Sequence, residues 1–234
     1  MKRNLKKFSI KDIDIFSDLN SKNKTFISAG IKMVPYQKSQ FAFQEGEVAK
    51  RFFYILSGKV KLYKQDSSGK VHLIRIAKKN DILDYSCLAN QGRYHYTAEI
   101  MEDSMLVTMD KPNFERVLSW YPSVTNKLLT KLGTSIYCAE EKVFQIVNQS
   151  IEKRLAKLFL DLIDDFGKPA NEGVFLDIHL SREEMAQSIG STRETITRII
   201  SKFKNSGLME VQGKKINILS PQKMESIVND VLKT

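Results

Sequence analysis

Four side chains between positions 193 and 198 have the types and the spacing to read base edges. Arg193, Glu194, Thr197 and Arg198 share one side of a helical period, and Ile196, Ile199, Ile200 and Phe203 share the other. Arginine can pair bidentately with guanine O6 and N7, and a carboxylate can accept from cytosine N4. Each good bidentate pair carries about 1–3 kcal/mol of discrimination. Nine arginines occur in the chain, and three of them, Arg182, Arg193 and Arg198, fall within residues 182–198. In a chain otherwise dominated by lysine, that placement indicates a need for planar, forked donors.

Such residues act only if a scaffold holds them out. Ser181 with Glu184, and Ser191 with Glu194, each form a Ser-x-x-Glu capping box, so two helix starts are expected ten residues apart, with Gly190 ending the first. Met185, Ala186 and Ile189 give the first helix an inner face. Two short helices joined by a Gly-containing turn are a helix-turn-helix, whose second helix enters a major groove. Leu208 to Leu219, with Gly213-Lys214-Lys215 between two apolar runs, reads as a hairpin wing whose lysines reach phosphate. Lys202 and Lys204 are expected on a solvated or phosphate-facing surface. Glu194 has a second reading, as no more than the capping partner of Ser191.

Upstream, residues 31–109 alternate in short apolar runs with Gly and Asp turns, the pattern of an antiparallel barrel or sandwich. The period changes between Pro112 and Pro122. From Ser123 to Gln149, Leu129, Leu132, Ile136, Ala139, Val143 and Ile146 alternate steps of three and four. This narrow a/d seam, flanked by Lys127, Lys131, Glu140, Glu141 and Lys142, fits a partner helix in a homodimer better than an amphipathic helix lying on the barrel. Ser150 is a candidate N-cap for a helix over 151–166, with Glu152 in its first turn. A loop over Gly167–Gly173 and a strand over 174–179 are expected next. The domain reading is therefore 1–122 for a β-rich sensor with an N-terminal helical segment, 123–149 for the dimer helix and hinge, and 150–234 for the DNA-binding part.

The 234 residues are 42 % hydrophobic, enough for a real core, and the net charge is +10. That charge does not mark the reading head. Residues 1–150 hold 24 Lys and Arg against 15 Asp and Glu, whereas residues 151–234 hold 13 against 12. No stretch of about 18 apolar residues spans a bilayer. The basic start Met1-Lys7 is followed by Lys11, Asp12 and Asp14 rather than by an apolar core, so a cytoplasmic protein without membrane contact is expected. The two cysteines, Cys87 and Cys138, match no disulfide framework or zinc spacing, and neither metal nor cofactor is expected.

The run Leu-Ser-Arg-Glu-Glu-Met-Ala-Gln-Ser-Ile-Gly-Ser-Thr-Arg-Glu-Thr-Ile-Thr-Arg-Ile-Ile-Ser-Lys-Phe, residues 180–203, resembles the helix-turn-helix signature of the Crp/Fnr family of bacterial transcription regulators. Phe43-Gln44-Glu45-Gly46-Glu47 and Phe53-Tyr54-Ile55-Leu56-Ser57-Gly58-Lys59-Val60 resemble that family's cyclic-nucleotide-binding β-roll. The resemblance implies a mixed α+β chain: an N-terminal cyclic-nucleotide-binding-like β-roll, a long dimerisation helix and a C-terminal winged helix-turn-helix. It further implies that Arg193, Glu194 and Arg198 read bases, that Ser181, Arg182 and Thr192 contact or orient on phosphates, and that two subunits bind a palindrome in double-stranded DNA. By resemblance alone, the Gly167–Gly173 loop and exposed β-roll edges are candidate RNA polymerase contacts.

The effector end departs from the family. Members that bind cyclic AMP hold it with a Gly-Glu pair and an Arg-Ser/Thr-Ala triplet. Here Tyr85 stands at the glutamate position and Tyr96 at the arginine position, while Thr97 and Ala98 survive. The resulting candidate pocket is Tyr85, Tyr96 and Thr97, with an unknown effector and no expected cyclic AMP binding, since a phosphate would lack its charge-assisted fork. Two cysteines cannot supply the four ligands of an iron–sulfur cluster. Phe41, Phe43, Phe52, Tyr54, Tyr85 and Tyr96 are expected in the core, with an apolar effector pocket as the alternative, and Cys87 is expected as a small buried hydrophobe rather than a redox-sensitive thiol. Other readings remain: a ligand-independent regulator, or an enzyme of the cupin sort, for which no His-x-His or His-x-x-x-His spacing exists.

Overall fold

A computed structural model describes residues 10–89 and 92–229. The basic run Met1-Lys7 lies outside them. The chain folds as two compact units, residues 1–135 and 136–234.

In the first unit, α1 (Ser21–Ser28) precedes seven strands: β1 (Ile31–Tyr36), β2 (Phe41–Phe43), β3 (Arg51–Ser57), β4 (Val60–Gln65), β5 (Val71–Ala77), β6 (Thr97–Ile100) and β7 (Ser104–Asp110). They form two antiparallel sheets, ordered β1-β7-β3 and β2-β6-β4-β5. β3 contributes five consecutive buried residues, Phe52 to Leu56. Such a run is expected of a strand covered on both faces. Phe43 stacks on Tyr94 at 4.0 Å, and Phe52 stacks at 4.0 Å on Phe114. Phe114 belongs to α2 (Lys111–Trp120), a helix that carries Pro112 in its first turn and for which the sequence shows no clear period. Phe41 departs from its expected core position. It is exposed, because the pairing of β2 with β6 shifts register between Phe41 and Phe43, which breaks the two-residue alternation and leaves only Phe43 buried. Tyr85 and Tyr96 are half-buried against the core, and Phe52 and Tyr54 are fully inside it.

The long helix α3 (Pro122–Asn148) starts on this core, burying Val124 and Leu128. Lys127 and Lys131 are anchors here, not flanks of a seam. Lys127 Nζ lies 2.8 Å from Asp18, and Lys131 Nζ bonds Asp14 Oδ2 at 2.9 Å and the Asn80 carbonyl at 3.0 Å. The buried Tyr54 hydroxyl lies 2.7 Å from Asp14 Oδ1 and 2.9 Å from Asn80 Oδ1. Further along α3 the seam is solvent-facing: Leu129 is 58 % exposed, Ile136 52 %, Val143 62 % and Ile146 49 %. Ala139 is exposed as well and Leu132 half-buried.

The second unit continues with α4 (Ile151–Phe166), β8 (Gly167–Pro169), β9 (Val174–Leu176), α5 (Arg182–Ile189), α6 (Arg193–Asn205), β10 (Met209–Gln212), β11 (Lys215–Ile218) and α7 (Pro221–Asn229). Ser150 caps α4 as expected, accepting from the Lys153 N–H. Gly167–Pro169 is a strand rather than part of a loop. It pairs with β9, which ends at Leu176, short of His179, in a sheet ordered β10-β11-β9-β8. Pro169 is tolerated because β8 is an edge strand. Among the described residues, no helix is long and apolar enough to cross a membrane.

Candidate nucleic-acid interface

Local chemistry fixes the two helices. At the start of α5, Ser181 Oγ accepts from the Glu184 N–H at 3.1 Å while the Glu184 carboxylate accepts from the Ser181 N–H at 2.9 Å, the reciprocal box read from the sequence. α5 ends at Gly190, whose φ of 66° is left-handed. Its N–H bonds Gln187 O, and the Ser191 N–H bonds Ala186 O at 2.9 Å, completing a Schellman motif. This corrects the second cap. Ser191 is consumed in ending α5, so Thr192 caps α6, its Oγ1 accepting from the Thr195 N–H at 3.3 Å. Glu194 is released from the capping role.

Ile196, Ile199, Ile200 and Phe203 are buried beneath α6, as Met185, Ala186 and Ile189 are beneath α5. Each of the larger side chains contributes about 1.5–3 kcal/mol to holding the pair in place. The opposite side of α6 presents Arg193, Glu194, Thr197 and Arg198, all exposed. Among the described residues, the side chains of Arg193, Glu194 and Arg198 make no hydrogen bond or ion pair. Thr197 donates its hydroxyl to Arg193 O at 2.8 Å, leaving a methyl group and acceptor lone pairs to face outward.

The phosphate candidates divide. Ser181, Arg182 and Lys214 converge on one cleft of about 190 Å³, together with Leu180, Gly213 and Ile216. Lys214 sits exposed in the β10–β11 turn. Arg182 is half-buried with Nη1 3.7 Å from Met185 Sδ, and burial draws its pKa below the usual arginine range. The hydroxyls of Ser181 and Thr192 are both committed to caps. Lys202 sits elsewhere, its Nζ 2.8 Å from each carboxylate oxygen of Glu152.

Two features of the fold gave no signal in the sequence. Arg154 on α4 is buried, with Nε and Nη1 lacking partners among the described residues. Its Nη1 lies 3.5 Å from where a Cβ on Gly190 would stand. The second is Asp84, 4 % exposed on the β-roll. Its Oδ1 accepts from the Ser86 N–H at 2.5 Å and from the Ser86 hydroxyl, and its Oδ2 accepts from the His95 N–H at 2.9 Å. Around it, Thr97 Oγ1 accepts from the Glu45 N–H at 3.1 Å, and Arg75 is bonded to the carbonyls of Ile82 at 2.6 Å and Leu83 at 3.2 Å. Burial pushes the Tyr85 phenol up, and it pushes the enclosed Cys87 thiol up to about 12, so that sulfur behaves as a small hydrophobe. A cleft of about 710 Å³ on this unit is lined by Phe43, Val48, Lys50, Tyr94 and Pro112 among others, not by Tyr85, Tyr96 or Thr97.

The profile of the Crp-like helix-turn-helix domain matches residues 153–227, and that of the cyclic nucleotide-binding domain matches residues 33–121. The chain belongs to the Crp/Fnr family of transcription regulators. Among relatives of this Crp/Fnr regulator, the global nitrogen regulator of Synechocystis sp. (strain ATCC 27184 / PCC 6803 / Kazusa) is 26 % identical over 190 residues, 80 % of this chain and 84 % of the relative. The CRP-like cAMP-activated global transcriptional regulator of Mycobacterium tuberculosis (strain ATCC 25618 / H37Rv) is 23 % identical over 210 residues, 90 % of this chain and 94 % of the relative. In fold, the chain is similar to FixK2 from Bradyrhizobium japonicum, with a TM-score of 0.71 at 18 % identity, covering 84 % of this chain and 96 % of that one. It is similar also to the c-di-GMP responsive global regulator CLP of Xanthomonas campestris, with a TM-score of 0.70 at 16 % identity, covering 84 % and 97 %. This Crp/Fnr chain is a transcription regulator with a helix-turn-helix DNA-binding domain, not an enzyme.

Proposed function

We propose that two copies of this chain bind a palindromic promoter site, each placing α6 in the major groove of one half-site. One observation carries the reading: α6 buries one face completely and offers Arg193, Glu194 and Arg198 from the other without internal partners among the described residues. Arg193 and Arg198 bond guanines and Glu194 a cytosine, with Thr197 beside them, so the half-site contains G and is similar to the family's TGTGA type. The half-sites lie about one helical turn apart, about 34–36 Å. The exposed apolar stripe of α3 supports the homodimer. RNA polymerase is the partner that the family implies.

Arg182, Lys202 and Lys214 serve the phosphate backbone, with Ser181 and Thr192 orienting the helix starts. Replacing Lys214 by alanine is expected to weaken binding to all sequences alike and to lower the salt slope by about one per subunit, which titration of a duplex at several salt concentrations measures. A change of sequence preference without a change of slope contradicts the assignment.

The β-roll does not take cyclic AMP in the usual way. Asp84 supports this, because a fixed buried carboxylate already takes the Ser86 and His95 donors, and Tyr96 stands where a cation is needed. An anion brought here meets like charge. The relatives include one named as cAMP-activated and one named as c-di-GMP responsive, so the fold leaves the effector open. Calorimetric titration with cyclic AMP is expected to give no binding at physiological concentrations, and a dissociation constant in the low micromolar range contradicts the reading. A regulator that needs no effector is the second reading, favoured by the same self-satisfied Asp84 cluster.

A further inference from the structure

Glu152 and Lys202 are fifty residues apart in sequence, yet Lys202 Nζ is 2.8 Å from both carboxylate oxygens. Lys202 lies one turn beyond Arg198 on α6, and Glu152 lies in the first turn of α4. The two border a cleft of about 330 Å³ whose other walls are Ser150, Ile151, Thr195, Arg198 and Ile199. Two cations and a threonine hydroxyl therefore meet at one place beside the recognition helix. Among the described residues, Glu152 is the one carboxylate lining that cleft, and it holds Lys202 with both oxygens.

We propose that Glu152 is an internal competitor of DNA phosphate, an affinity-setting residue that occupies Lys202 in the free protein and must release it on DNA. The proposal rests on the reading of Lys202 as a phosphate-facing residue. An ion pair open to solvent is weak, so a phosphate can displace the carboxylate. The displaced Glu152 then faces a polyanion and opposes binding to any sequence. Glu152 therefore lowers affinity uniformly and leaves base reading to Arg193, Glu194 and Arg198.

The test titrates the full-length wild type, Glu152→Gln and Glu152→Ala into a duplex of arbitrary sequence and into a selected site. Both variants are expected to bind several-fold more tightly at low salt and by the same factor on both duplexes. The gain shrinks about threefold per subunit between about 50 and about 200 mM salt, the dependence of one added phosphate contact. In a Lys202→Met background, Glu152→Gln is expected to leave the salt slope unchanged. Equal or weaker binding by folded Glu152→Gln overturns the proposal and makes the pair a strap between α4 and α6, as does a steeper slope that persists without Lys202. A wild type that binds neither duplex overturns instead the DNA reading on which the proposal rests.

Discussion

Arg198→Ala is expected to weaken binding to the cognate duplex by about 1–3 kcal/mol per half-site, while binding to arbitrary DNA stays nearly unchanged. The side chain is exposed, it makes no internal hydrogen bond among the described residues, and it stands on the face of α6 opposite Ile199 and Ile200. Its loss therefore removes a base contact without opening the core. Selection should become indifferent at the position Arg198 reads and remain strict elsewhere. Fluorescence anisotropy on cognate and arbitrary duplexes separates the two effects, and an equal fall on both makes Arg198 a phosphate contact.

The second large effect is expected from Ile136→Asp combined with Val143→Asp. Both side chains are more than half exposed in the single chain, so the substitutions spare the core. In a dimer they place carboxylates at facing positions of an apolar seam, where charge is desolvated and like meets like. The variant should sediment as a monomer. A monomer engages one half-site at a time and loses the effective concentration that couples the two heads, so affinity for the palindrome should fall by about 10²–10⁴-fold. A variant that still sediments as a dimer with unchanged DNA affinity places the dimer contact elsewhere.

The helix-turn-helix was legible because its determinants are local. Gly190 ends one helix, apolar residues recur every three or four positions, and small polar residues cap both starts. Even so, the α6 cap shifted from Ser191 to Thr192, because the Schellman bond from the Ser191 N–H delays the next helix by one residue. Glu152 with Lys202, and Asp84 with His95, gave no signal at fixed short spacing, since tertiary folding brings their elements together. The exposed apolar surface of α3 is wider than the six positions of the expected seam. Tyr137, Phe144 and Val147 are also exposed, on positions that the three-four alternation skips. Lys127 and Lys131 looked like flanks of that seam by period, and only the packing of α3 against Asp14 and Asn80 assigns them to the β-roll.

The net charge of +10 does not locate the reading face either. On the β-roll Lys59, Lys61, Lys64 and Lys111 pair with Glu102, Glu99, Glu45 and Glu115. These pairs use one acid for each base, so the basic excess of the first 150 residues remains, while on α6 Arg193 and Arg198 make no ion pair among the described residues.

The proposed dimer reads a palindrome through α6 of each subunit. Sequencing the DNA that the purified protein selects from a randomised duplex pool tests it most directly. An inverted repeat with G-containing half-sites centred about one helical turn apart is the expected result. A single asymmetric motif, or no enrichment over the starting pool, would contradict it.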